Sequence, residues 1–232
     1  MSVTIGIDVG TTGTKTLLFD TSSGTVASAS RETSLFSAKP GFAEADTGQW
    51  MTNVIDSIRE VVSAGDVHPE AVEAIAVSGM VPAVVPVDVH GKPLRRAILQ
   101  NDARAHQEVE ELGRKLAGTD LVSLTGSALT QQSVAPTLVW LREREPTVYA
   151  RTARIVGSYD WVLMALGADV HVEQNWALES GLFAVDGDTA TVVLDAAALD
   201  ADLLAPVRRP GRGSAGSASG SPSRPAFAQA PR

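Results

Sequence analysis

The chain has 232 residues, with 27 Asp and Glu side chains against 19 Lys and Arg, for a formal net charge of −8. That balance argues against a general nucleic-acid binder, which presents a basic patch or stripe; the absence of cysteine excludes disulfides and thiolate metal sites. A hydrophobic fraction of 44% with 20% charged residues is that of a globular protein with a sizeable core. No basic N-terminal region leads into a long apolar run, and no stretch approaches the ~18 apolar residues that span a bilayer. A soluble, cytoplasmic protein without nucleic-acid or membrane partners is expected.

Residues 3–8 are rich in β-branched side chains and read as a strand; residues 15–20 and 25–34 read as a second and third, joined by polar turns. The result is an antiparallel meander, whereas a doubly wound dinucleotide fold places a helix directly after its first strand. Asp46 is placed to cap a helix, with Gln49 completing a capping box, and Trp50, Val54, Ile58 and Val61 recur on the face that would meet the sheet. Residues 72–77 read as a buried strand. Residues 84–87 read as another, with a hairpin turn at 88–91. A helix is expected over 102–116, with Glu108, Glu110 and Glu111 on a charged face. Shorter helices at 136–144 and 146–151 each begin on a proline, and a strand at 154–157 leads into a helix at 158–166.

From Arg208 to Arg232 there is no Asp, Glu, Lys, Val, Ile, Leu or Met. Such a segment cannot build a core and is expected to be a disordered, low-complexity tail. A natural flexible tail and a shifted reading frame of a GC-rich gene both yield this composition. The globular pattern stops in mid-fold, which favours truncation or a frameshift.

The chemistry concentrates in Gly6-Ile7-Asp8-Val9-Gly10-Thr11-Thr12-Gly13-Thr14-Lys15. An acidic residue at a strand end is placed to hold a metal ion or its waters. The Gly and Thr residues that follow offer backbone N–H groups and hydroxyls to phosphate oxygens, and the glycines permit close approach. Phosphoryl transfer rests on such positioning and charge neutralisation. The order is not that of a Walker A loop, and a hairpin whose Gly and Thr merely satisfy turn geometry would read the same way. His68, His90, His106 and His171 lack metal-ligand spacing and read as solvated surface residues. Trp140, Trp161 and Trp176 read as core anchors.

The strand–Asp-x-Gly-Thr-Thr-x-x-Lys–strand pattern resembles the first phosphate motif of the sugar kinase, actin and heat-shock ATPase superfamily. Three further stretches resemble the FGGY carbohydrate kinases, in their xylulokinase-like branch. Pro40-Gly41-Phe42-Ala43-Glu44-Ala45-Asp46 with Trp50 is similar to the family's "G-W-A-E-Q-D…W". Ser78-Gly79-Met80-Val81-Pro82 sits where the family has a substrate-contacting turn. Ala97-Ile98-Leu99-Gln100-Asn101-Asp102-Ala103-Arg104 is similar to "A-I-L-W-N-D-x-R". Leu124-Thr125-Gly126, residues 136–141 and Ser158-Tyr159-Asp160-Trp161 continue the pattern in family order, so the resemblance covers residues 3–207.

The resemblance implies an α/β, ribonuclease H-like (actin/hexokinase-type ATPase) lobe, a mixed sheet with helices on both faces. It implies a kinase that moves the γ-phosphate of ATP, with Mg²⁺, onto a sugar or polyol hydroxyl. Asp8 would assist Mg²⁺ and the transferring phosphoryl, and Gly10, Thr11, Thr12, Gly13 and Lys15 would line the ATP phosphates. Met80, Val81, Pro82, Asn101, Asp102 and Arg104 would lie at the sugar pocket, although Asp102 also reads as a helix N-cap. Two departures bear on the sugar: Val81-Pro82 stands where xylulokinases typically have Met-His, and Gln100 replaces the usual aromatic. The family's general base, an aspartate in a Gly-rich stretch, and the adenine-binding second lobe both lie beyond the matched region. Asp195, Asp200 and Asp202 precede that position and read as surface or capping carboxylates. The chain is therefore expected to be inactive by itself, and a homodimer is common in the family. A non-catalytic ATP-binding scaffold of the actin or heat-shock type is the alternative. It would share the phosphate loop but not the stretches at 41–50 and 97–104.

Overall fold

The computed structural model of the chain describes residues 3–209. The three N-terminal strands form as expected: β1 (Val3–Val9), β2 (Gly13–Asp20) and β3 (Gly24–Glu32), antiparallel in sequence order. Leu35–Phe36 (β4) and Glu44–Ala45 (β5) are short strands that precede helix α1 (Thr47–Ala64). Asp46 caps this helix by accepting from the Gly48 N–H. The capping box does not form, because the Gln49 amide oxygen instead accepts from the Ser34 N–H at 2.9 Å. Trp50, Val54, Ile58 and Val61 are all buried against the sheet, and the Thr16 hydroxyl of β2 meets Ser57 of α1 at 2.6 Å.

A second helix joins α1 on the same face. Strand β6 (Val72–Gly79) runs parallel to β1, and among the described residues the sheet has four strands in the order β3-β2-β1-β6. Next come β7 (Val85–Val87), β8 (Ala97–Ile98), α2 (His106–Lys115), α3 (Leu121–Thr125), α4 (Val134–Arg144) and α5 (Pro146–Arg151). Then β9 (Arg154–Val156), antiparallel to β7, leads into α6 (Ser158–Ala165). Helix α1 packs on β1, β2 and β3, and α6 on β6 and β1. Their common face carries Ile5, Ile7, Val9 and Leu18, all at most 3% exposed. The opposite face, with Thr4, Gly6, Leu17, Phe19, Ala74 and Ala76, is half-exposed or exposed. Helices were expected on both faces; among the described residues they cover one.

Other expectations need correcting. Among the described residues the strand at 72–77 is an edge strand, and its residues are exposed or only half-buried. The helix expected from residue 102 begins at His106, because the Asp102 carboxylate is engaged elsewhere; Glu108 is buried at 4% exposure instead of lying on a charged face. Pro136 is the third residue of α4, within the first turn, where a missing N–H costs no helical bond. His171 is buried, its Nδ1 at 2.7 Å from the Asp169 carbonyl. The hairpin around Asp88 forms, with bridges Val87 to Pro93 and Val84 to Ile98. The strand β10 (Val172–Glu173) and helices α7 (Gln174–Ser180) and α8 (Thr191–Ala197) follow, and β11 (Val207–Arg208) pairs in parallel with β10. Arg208, the first residue of the expected tail, is thus in a strand and bonded to Asp169; residues 210–232 lie outside the described residues.

Trp50 is fully buried, and among the described residues its indole N–H has no hydrogen-bond partner. Its contribution is therefore packing. Trp50→Ala is expected to cost about 3–5 kcal/mol, and Trp50→Phe much less, since no hydrogen bond is lost. Urea unfolding of the two variants measures the difference.

Candidate functional site

Asp8 lies near the C-terminal end of β1, flanked across the sheet by Lys15 on β2 and Ser78 on β6. Directly paired residues share a face, so all three side chains stand on the open face, and all three are exposed. The Ser78 hydroxyl lies 3.3 Å from Asp8 Oδ1. Ser78 drew no role from the sequence; only the parallel register of β6 on β1 brings it there.

The connection from β1 to β2 is tight. The Gly10 N–H donates to the Gly13 carbonyl at 2.9 Å, and the Thr12 carbonyl accepts from the Thr33 N–H at 3.0 Å. A Cβ on Gly13 would stand 2.7 Å from the Arg31 carbonyl oxygen, and one on Gly10 would stand 3.1 Å from that of Gly13. Close backbone approach requires glycine at Gly13. Thr12 is exposed and Thr11 half-exposed at the tip, while Thr14 is fully buried.

The turn after β6 adjoins this loop. Gly79 lies against β1, where a Cβ would stand 2.7 Å from the Val9 carbonyl oxygen, and the Met80 N–H donates to that same oxygen at 3.1 Å. The Ser158 hydroxyl at the start of α6 donates to the Met80 carbonyl at 2.8 Å, and the Trp176 indole of α7 donates to the Ala83 carbonyl at 2.8 Å. Met80 and Pro82 are buried, Val81 is half-buried, and the Val81–Pro82 peptide is cis. The bridge from Val84 to Ile98 brings residues 99–101 alongside this turn, leaving Asn101 exposed. The Gln100 amide oxygen is buried without a partner among the described residues.

Behind α6, Asp160 accepts from the Gly157 N–H at 3.1 Å and the Glu173 N–H at 2.9 Å. A Cβ on Gly157 would stand 2.5 Å from both Asp160 Oδ2 and Trp176 Cδ1, so glycine is required there. Burial first, and then the neighbouring Glu173 carboxylate, push the Asp160 carboxyl up to about 7, against the lowering effect of the two N–H bonds.

Asp102 and Arg104 occupy a different place. The Arg104 guanidinium donates to Asp102 at 2.8 Å and to Glu44 at 2.7 Å, and lies 4.0 Å over the Phe42 ring and 4.9 Å over Trp140. Asp102 also accepts the Ala43 N–H at 2.6 Å and the Arg104 N–H at 2.9 Å. It is not the N-cap of α2, a position held by Ala105. Glu44 is shared with Arg95, which also binds Glu145 at 2.8 Å. The Asp102 carboxylate accepts from Ala43 and Arg104, both within this network; Trp140 serves as a ring beneath a cation and not only as a core anchor.

A family model described as the N-terminal domain of the FGGY family of carbohydrate kinases matches residues 3–216. The chain belongs to that family. It is 30% identical over 204 residues to a xylulose kinase of Staphylococcus xylosus, covering 88% of this chain and 42% of that protein. A Bacillus subtilis xylulose kinase is 29% identical over 173 residues, 75% of this chain and 34% of the relative. The solved structure of a Rhodospirillum rubrum xylulose kinase has a TM-score of 0.82 at 35% identity, covering 89% of this chain and 43% of that one. This chain thus spans less than half the length of the relatives it matches, and the expected ribonuclease H-like, actin/hexokinase-type fold is borne out. Among the described residues no helix is long and apolar enough to cross a membrane.

Two predictions follow from the geometry. Arg104→Met leaves Asp102 and Glu44 without their shared cation and is expected to cost about 3–5 kcal/mol, against less than about 1 kcal/mol for removing the exposed Arg59–Asp56 pair; denaturant midpoints compare them. Asp160 holds its proton in the folded chain up to about 7, whereas the unfolded chain releases it near 3.8. Its contribution to stability is full below pH 3.8 and falls as pH rises to about 7. Melting curves across that window are expected to show this slope, and Asp160→Asn to flatten it.

Proposed function

We propose that this chain is the phosphate-loop and sugar-binding portion of an ATP-dependent kinase for a ketopentose of the xylulose class. The observation that carries the reading is Asp8, exposed near the end of β1 with Lys15 and Ser78 beside it on the open face of the sheet, next to the tight Gly10–Gly13 turn. Mg²⁺ is bound in such sites by one or two carboxylates together with waters and substrate phosphates. A lone exposed Asp8 fits that donor set, and among the described residues no group of three His, Cys, Asp or Glu side chains could cage a metal. Bound there, Mg²⁺ would neutralise charge on the phosphates.

In this reading Asp8 orients the ion through its waters, with Ser78 restraining the carboxylate. The Thr11, Thr12 and Gly13 backbone and hydroxyls receive phosphate oxygens, and Lys15, on the same face as Asp8, adds positive charge. The turn at Met80-Val81-Pro82 forms an apolar wall to the sugar, and Asn101 offers an amide to its hydroxyls. Asp102 and Arg104 would act on that pocket by holding its backbone. The relatives named as xylulose kinases support the sugar class. Position Val81-Pro82, without a histidine, calls for a different hydroxyl contact.

The general base that takes the proton from the attacking hydroxyl is assigned to no residue of this chain. Asp200 is exposed and caps the Asp202 N–H at 2.9 Å, and Asp195 is exposed on α8. The 232-residue chain is expected to bind Mg²⁺·nucleotide weakly and to release no ADP in response to sugar. Asp8→Asn should weaken the Mg²⁺-dependent part of nucleotide binding by about tenfold to a hundredfold, measured by calorimetry with and without Mg²⁺. Steady xylulose-dependent ADP release would overturn the inactivity, and Mg²⁺-independent binding that ignores Asp8→Asn would overturn the site.

A further inference from the structure

Residues 80–83 lie between β6 and β7, outside either strand. Two carbonyls of this turn take their hydrogen bonds from side chains far along the chain. The Ser158 hydroxyl, at the start of α6, donates to the Met80 carbonyl at 2.8 Å across 78 positions. The Trp176 indole, in the first turn of α7, donates to the Ala83 carbonyl at 2.8 Å across 93 positions. Both donors are 0% exposed, so water does not compete for either bond.

The two donors are themselves held together. Asp160 accepts from the Gly157 N–H at 3.1 Å and from the Glu173 N–H at 2.9 Å, which ties the residue before Ser158 to the residue before α7. The indole lies against Gly157, where a Cβ would stand 2.5 Å from Trp176 Cδ1 and 3.0 Å from its Nε1. Ser158 and Trp176 therefore act as one unit that grips the first and last residues of the turn. From the sheet side, the Met80 N–H is fixed to the Val9 carbonyl of β1 at 3.1 Å. Any donor could satisfy a buried carbonyl; two donors from one unit, set at the two ends of a four-residue segment, also fix its shape. A backbone fixed before a ligand arrives has less freedom to lose on binding.

We propose that Ser158 and Trp176 are positioning residues for the sugar, clamping the Met80–Ala83 turn in the shape against which a ketopentose docks. Neither side chain needs to touch the ligand, since both are fully buried and act through the backbone of the turn. The identity of the ligand rests on the kinase reading above, whereas the clamp rests on the two hydrogen bonds.

The test is a titration of the isotopically labelled 232-residue chain with D-xylulose, followed by NMR at the backbone amides of Val81 and Ala83. Ser158→Ala removes one donor and almost no volume, and Trp176→Phe removes the other. Each is expected to raise the sugar Kd by about threefold to tenfold, the worth of one net hydrogen bond. Ser57→Ala is the matched control, because it removes another fully buried hydroxyl, one that meets Thr16 at 2.6 Å. It should lower the melting temperature about as much as Ser158→Ala and leave the sugar Kd at its wild-type value. Melting curves show which variants fold, and Ser158→Ala decides the matter if Trp176→Phe does not. Wild-type affinity in Ser158→Ala would overturn the clamp alone. An equal loss of affinity in Ser57→Ala would also overturn it, since the effect would then be one of general stability. A wild-type chain whose turn signals ignore D-xylulose would instead overturn the sugar class of the kinase reading, and with it the ligand of this proposal.

Discussion

The fold depends on one buried cation. Arg104, with a side chain only 1% exposed, is gripped by Asp102 and Glu44 and packed against Phe42 and Trp140. Those partners come from the lead-in to α1, from the irregular segment after β8, and from α4; Arg95 extends the network through Glu145 to the start of α5. The segment between β8 and α2 is irregular, and the network holds it to the lead-in to α1 together with two backbone bonds, from the Leu99 N–H to the Ala43 carbonyl and from the Ala103 N–H to the Gly41 carbonyl. Burying these charges carries a desolvation cost that only multiple well-directed bonds offset. Burial alone would lower the Arg104 pKa, yet its bonds to Asp102 and Glu44 outweigh this and raise it, keeping the guanidinium charged. One guanidinium nitrogen, Nη1, is buried without a partner among the described residues.

A second constraint is close approach at glycine. Gly13 against the Arg31 carbonyl, Gly79 against that of Val9, and Gly157 between Asp160 and Trp176 are each places where a Cβ would collide. The first shapes the loop beside Asp8, the second sets the turn after β6 onto β1, and the third lets α6 start beneath that turn. Packing thus reaches the candidate site through backbone contacts, with few side chains committed to it. That leaves Asp8, Thr12, Lys15 and Ser78 exposed.

The local patterns were legible where neighbours in sequence decide structure. The three-stranded meander, the cap at Asp46 and the stripe from Trp50 to Val61 follow from turn chemistry and periodicity. The errors arose where a distant partner decided the outcome. Gln49 left its capping box for Ser34, Asp102 left a helix for Ala43 and Arg104, and His171 and Glu108 were drawn into the interior. Residues 72–77 were apolar enough to read as buried, but sheet order placed them at an edge, and no local pattern encodes sheet order.

The sequence by itself determined the family and the tight glycine–threonine turn that follows Asp8 at the end of the first strand, because a strand followed by glycines and threonines is a local signal and the family motifs occur in order. Only the tertiary structure decided that Ser78 stands beside Asp8, that Asp102 and Arg104 join Glu44 in one ion-pair network, and that β6 is the last strand of its sheet among the described residues. Each of these depends on contacts between segments dozens of residues apart, and the register and burial that create them are properties of the packed whole.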